Sequence, residues 1–140
     1  MPARSTRSAV AAKPQDEKIT LNIGHVDLGQ IDLLVQEGFY ANRTDLIRTA
    51  IRNQLAAHAD AVKQTVARKT LVLGIQHFSA DDLRAVQAAG QKLDIRVLGL
   101  ASIAPDVTPK LALAAIESVV VLGALHASPA VKSALASRMR

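Results

Sequence analysis

The chain has 140 residues, 49% of them hydrophobic and only 2% aromatic, so a core of Leu, Ile, Val and Ala is expected and global disorder is not. Cysteine is absent, which excludes disulfides, thiolate metal sites and a cysteine nucleophile. Lys plus Arg number 17 against 12 Asp plus Glu, a net charge of +5 that favours a polyanionic partner.

Residues 1–15 are rich in Ala, Ser and Arg, contain Pro2 and Pro14 and lack a sustained apolar period, so a disordered basic arm is expected. In EKITLNIGH, Ile19, Leu21 and Ile23 alternate with Lys18, Thr20 and Asn22, the period-two pattern of a half-buried strand. VDLGQIDLLVQEG then sets Leu28, Ile31, Leu34 and Val35 at helical spacing, with Gly38 placed to stop the helix at a left-handed position. Asn42 is suited to cap a second helix, with Asp45 three residues later favouring the positive end of its dipole. Ile47, Ile51 and Leu55 form the stripe that this helix should bury, while Arg48 and Arg52 lie one turn apart on another face. Residues 59–69 read as an extension of the same helix or as a linker.

The second half repeats itself. Leu73-Gly74, Leu98-Gly99 and Leu122-Gly123 recur inside VLGI, VLGL and VLGA at spacings of 25 and 24 residues. Each lies in an apolar run followed by a helix-start signal: Ser79 with Asp82, Thr108 with Pro109, Ser128 with Pro129. The helices that follow carry Leu83 and Val86; Leu111, Ala115 and Ile116; and Val131 and Leu135, with IAPDV as a loop in the middle unit. Three strand-helix units over 70–140 predict parallel strands joined by helical crossovers, an open α/β layer or a short solenoid, in which the repeated glycines let neighbouring backbones or packed helices approach closely.

A strand, a helix, a glycine turn and a second capped helix over residues 17–58, within a first domain expected over 16–58, resemble the ribbon-helix-helix family of bacterial DNA-binding proteins, of the CopG, Arc and MetJ type. The residues carrying the likeness are KITLNI, Leu28, Ile31, Leu34, Gly38, Asn42-Arg43-Thr44 and Ile47-Arg48-Ala50-Ile51. The resemblance implies an intertwined homodimer whose two strands pair as an antiparallel ribbon and enter the major groove of double-stranded DNA. One strand and two helices cannot satisfy a sheet edge or bury both stripes alone, which supports the same dimer on physical grounds. With Ile19, Leu21 and Ile23 turned inward, Lys18, Thr20 and Asn22 face out; Lys suits guanine O6 and N7, Asn suits adenine N6 and N7, and Thr suits either partner or a methyl. If the resemblance holds, these three read bases. The amides of Arg43 and Thr44 beside the Asn42 cap form an anion site at a helix N-terminus, and the family likeness implies a phosphate clamp there. Arg4, Arg7 and Lys13 read either as non-specific contacts to the DNA backbone or minor groove, or as an unengaged solubilising tail.

An appended domain in such proteins usually oligomerises, senses a ligand or binds a partner protein. The histidines are His25, His58, His77 and His126; His77 and His126 belong to the first and third repeats, roughly 10 Å apart if the units are adjacent rungs, too far to share an ion. No metal site and no cofactor are expected. Asp81, Asp82, Ser79 and Ser128 sit at helix starts as caps, and no G-x-S-x-G, P-loop or GxGxxG string is present, so no enzyme is expected. No apolar run approaches the roughly 20 residues of a membrane span and the first residues lack a secretory apolar stretch, so a cytoplasmic, nucleoid-associated protein is expected. The leading expectation is a dimeric transcriptional regulator, a repressor, with higher oligomers formed through the second half. An antitoxin whose second half binds a toxin is one competitor, although such tails are often charged and disordered whereas this half is apolar and capped. An architectural protein stacking through the edge of SVVVLGAL is the other.

Overall fold

The computed structural model describes residues 16–140, which divide into two units, 18–65 and 66–140. The arm over 1–15, with Arg4, Arg7 and Lys13, lies outside the described residues.

In the first unit, residues 17–24 form neither helix nor strand. The strand expected there is not formed, because a strand needs a neighbour to receive its ladder hydrogen bonds and the described residues supply none. Helix α1 spans His25–Gln36, and Gly38, at φ +88°, closes it. The Gly38 N–H donates to Val35 C=O at 3.1 Å and the Phe39 N–H to Leu34 C=O at 3.0 Å, the paired return bonds of a Schellman motif. Helix α2 spans Arg43–Ala57 and breaks at His58, whose carbonyl then accepts from Val62 N–H at 3.0 Å to begin α3, Ala59–Arg68. None of residues 18–65 is buried. Ile51 and Leu55, expected in a covered stripe, are 48% and 61% exposed. The spacing that makes a stripe does not by itself supply the surface that covers it.

The second unit alternates strands and helices: β1 Val72–Phe78, α4 Ala80–Ala88, β2 Leu93–Ile103, α5 Pro109–Ala115, β3 Ile116–His126 and α6 Pro129–Leu135, with a final 3-10 turn at Ala136–Arg138. The three strands are parallel in the order β1-β2-β3. All three helix starts are capped by the expected side chains: Ser79 accepts from Asp82 N–H, Thr108 from Leu111 N–H and Ser128 from Val131 N–H. Asp82 also reaches back to the Ser79 N–H at 3.0 Å, completing a reciprocal box. Ile116, expected within the middle helix, instead opens β3, so α5 passes into the strand without a loop. The Arg138 guanidinium donates to the carbonyls of Leu113 and Ile116 across that junction, at 2.6 and 2.5 Å.

Register aligns Gly74 with Gly99 and Gly99 with Gly123. All three hold positive φ, +130°, +140° and +119°. A Cβ on Gly99 would collide with the Gly74 carbonyl, and one on Gly123 with the Gly99 carbonyl. Neighbouring backbones, not helices, are what the repeated glycine admits.

The core lies on one sheet face only. Ile95, Val97, Ala101 and Ile103 of β2 and Val119 of β3 are buried with Leu83, Ala112, Ala115, Val131 and Leu135 of the helices. Each large aliphatic side chain so buried contributes about 1.5–3 kcal/mol. On the opposite face the register forms rows across the strands: Leu73-Leu98-Leu122, then Ile75-Leu100-Ala124, then His77-Ser102-His126. Leu73, Ile75 and Leu122 are 68%, 61% and 51% exposed. The outer edge of β3, expected to be the open one, is partly occupied by the chain itself: Met139 bridges Val119 and the Arg140 N–H donates to Val119 C=O at 2.9 Å.

Candidate nucleic-acid interface

The residues expected to read bases or hold a phosphate belong to the first unit, whereas Arg4, Arg7 and Lys13 lie outside the described residues. Lys18, Thr20 and Asn22 lie on the unpaired segment 17–24 and are exposed. Their apolar alternates share that exposure: Ile19 is 79% and Leu21 71% exposed, while Ile23 is half-buried. Two large aliphatic side chains left in water on one short segment indicate an absent covering surface.

The start of α2 is fully organised. The Asn42 side chain accepts from the Asp45 N–H at 2.8 Å, and the Asp45 carboxylate accepts from the Ala41 N–H at 2.9 Å. The first intrahelical bond runs from Leu46 N–H to Asn42 C=O at 3.2 Å. The amides of Arg43 and Thr44 precede it and lie at the positive end of the helix dipole, where they can take an anion.

Arg43 has a partner that its sequence position does not disclose. Its Nε and a terminal nitrogen donate to the two carboxylate oxygens of Asp32 at 2.7 and 2.8 Å, a two-pronged pair that ties α1 to α2. Hydrogen bonding from Arg43 is the main reason the Asp32 carboxyl is held below its usual range, with the guanidinium charge adding to it. Both side chains are about half exposed, so the pair orients more than it stabilises. The two residues are 11 apart in sequence, outside the three-and-four spacing of same-helix pairs, so no local pattern announces the pair.

Within the second unit the two histidines stand apart. β2 stands between His77 and His126, with Ser102 in register with both, and His77 Nδ1 lies 3.2 Å from the Ser102 hydroxyl. Among the described residues no three His, Asp or Glu side chains are grouped to hold a metal ion. No helix among them is long and apolar enough to cross a membrane.

No curated protein and no solved structure matches the chain. The model of the ribbon-helix-helix transcriptional regulator family matches residues 14–132, which takes in both the segment with its two capped helices and most of the repeat unit. With that match covering well over half its length, the chain belongs to the ribbon-helix-helix transcriptional regulator family.

Proposed function

We propose that the protein is a sequence-specific DNA-binding repressor that works as a homodimer, reading the major groove with a two-stranded ribbon made from residues 18–23 of two chains. The observation that carries this reading is the absence of any buried residue in 18–65, together with the exposed Ile19 and Leu21. A segment whose apolar face is bare in one chain and whose backbone lacks ladder partners is completed by its own copy. Pairing would cover Ile19, Leu21 and Ile23 and leave Lys18, Thr20 and Asn22 directed outward at base edges. Asn42, Arg43 and Thr44 would hold a DNA phosphate through the amides at the start of α2, with Asp32 fixing the Arg43 guanidinium beside them. Arg4, Arg7 and Lys13 would add salt-sensitive contacts without sequence choice.

The unit 66–140 is assigned to assembly beyond the ribbon. Its own core and three capped helices favour that role over a toxin-binding tail that orders only on its partner. Dimers side by side on repeated half-sites would gain affinity through effective concentration. The test is a binding-site selection with Asn22→Ala: relaxed preference at one base pair, costing about 1–3 kcal/mol, is expected. Retained preference at every position would remove Asn22 from the reading set.

A further inference from the structure

We infer that the helix-free face of the β1-β2-β3 sheet is an interface that receives the same face of a second copy of this chain. Parallel sheets are ordinarily covered on both faces, and here helices cover one. The other carries two successive apolar rows, centred on Leu98 and Leu100. Polar residues flank them at both ends: His77, Ser102 and His126 toward the strand C-termini, Asp94 and Arg96 toward the N-termini. An apolar centre with a polar rim is the layout of a protein interface.

Area selects the occupant. Residues Val97 to Ser102 of β2 across three strands, with Asp94 to Arg96 across β2 and β3 alone, give a flat footprint of roughly 400 Å². An independent complex needs about 800 Å² from each partner, so a freely diffusing protein gains too little here. A second copy already tethered through the ribbon meets the face at high effective concentration and needs no more. This inference therefore rests on the dimeric reading above.

Charge selects the orientation. With strands of the two copies running the same way, Asp94 would stack on the partner's Asp94 and histidine on histidine. Reversed about a two-fold axis crossing β2 between Leu98 and Leu100, each apolar row lies on the partner's other apolar row. The row of His77, Ser102 and His126 then lies over the partner's Arg96 row, and each Asp94, whose carboxylate accepts from Ser118 at 2.7 Å, falls opposite position 104 of the other copy, clear of the second Asp94. The Arg96 guanidinium is held back by the Lys69 carbonyl, at 2.9 and 2.7 Å, which leaves its aliphatic stem to the interface.

The absence of cysteine makes the test direct. Full-length chains carrying Leu98→Cys, Asp94→Cys or, on α6, the exposed Lys132→Cys are treated with a short bis-maleimide, because packed sheets stand about 10 Å apart, beyond disulfide reach. Leu98→Cys is expected to give covalent dimers and to be labelled by a monofunctional maleimide about tenfold more slowly than Lys132→Cys. Asp94→Cys is expected to stay unlinked, its two copies lying roughly 33 Å apart in the reversed arrangement. Linking through position 94 would overturn the orientation. A Leu98→Cys chain that stays unlinked while light scattering reports a dimer would overturn the interface and leave the ribbon reading standing. A monomeric full-length chain would overturn both.

Discussion

Gly99 and Gly123 are the positions at which one added carbon does the most damage. Each combines positive φ with a neighbouring strand carbonyl where a Cβ would sit, so relief would require separating the strands. Gly99→Ala should therefore cost about 3 kcal/mol or more in urea denaturation. Gly74 shares the backbone conformation but meets nothing within 4 Å, so Gly74→Ala should cost only about 1–2 kcal/mol of backbone strain. Equal losses at the two sites would mean that strain, not the collision, governs the column. Arg138 offers a second case: losing its bonds to the Leu113 and Ile116 carbonyls leaves the α5–β3 junction unsatisfied, and Arg138→Ala should lower stability by about 1.5–3 kcal/mol. Nothing in the C-terminal string SRMR indicates this role, since the partners lie 25 and 22 residues upstream.

Helix starts are where sequence and structure agree most closely, because a cap is a local device. Ser79, Thr108 and Ser128 each meet the amide three residues on, as their spacing to the following helix requires. Asp82 adds a pH signature. Its carboxyl is held below the usual range, chiefly by the Ser79 backbone N–H, then by the Ser79 hydroxyl, with the His77 charge a smaller cause. A depressed folded-state value means stability that is present above the unfolded value and lost as pH falls through the folded one. The melting-temperature advantage of the native chain over Asp82→Asn should thus be full at neutral pH and shrink below about pH 4. An advantage unchanged down to pH 2 would exclude the carboxylate as its source. The end of α5 shows where local reading stops: Ile116 continues the apolar spacing of α5, yet the Leu93–Ile116 strand pairing takes it into β3.

At the scale of the whole chain the two units differ in what they need. Residues 66–140 own a core; residues 18–65 hold α1, α2 and most of α3, with an uncovered apolar surface. On the dimeric reading, a chain truncated at residue 69 should melt at a temperature that rises with protein concentration, since association and folding of that unit are one equilibrium. Its light-scattering mass should be that of a dimer. A concentration-independent melt would show that the first unit folds alone, against the proposal.

The period-two alternation of Ile19, Leu21 and Ile23, the Asn42 cap, the Gly38 stop and the three-fold Leu-Gly repeat are all short-range statements, and the amino-acid order alone was enough to specify them. The family likeness over 17–58 and the parallel strands followed from that order as well. What bonds across distance did not: the Arg43–Asp32 tie, the reach of Arg138 to a helix end, and the return of Met139 and Arg140 along β3. Each joins residues whose separation obeys no helical or strand period. Which apolar stripes are covered was likewise a tertiary decision, because periodicity places side chains on one face but burial requires an opposing surface, and none of residues 18–65 is buried among the described residues.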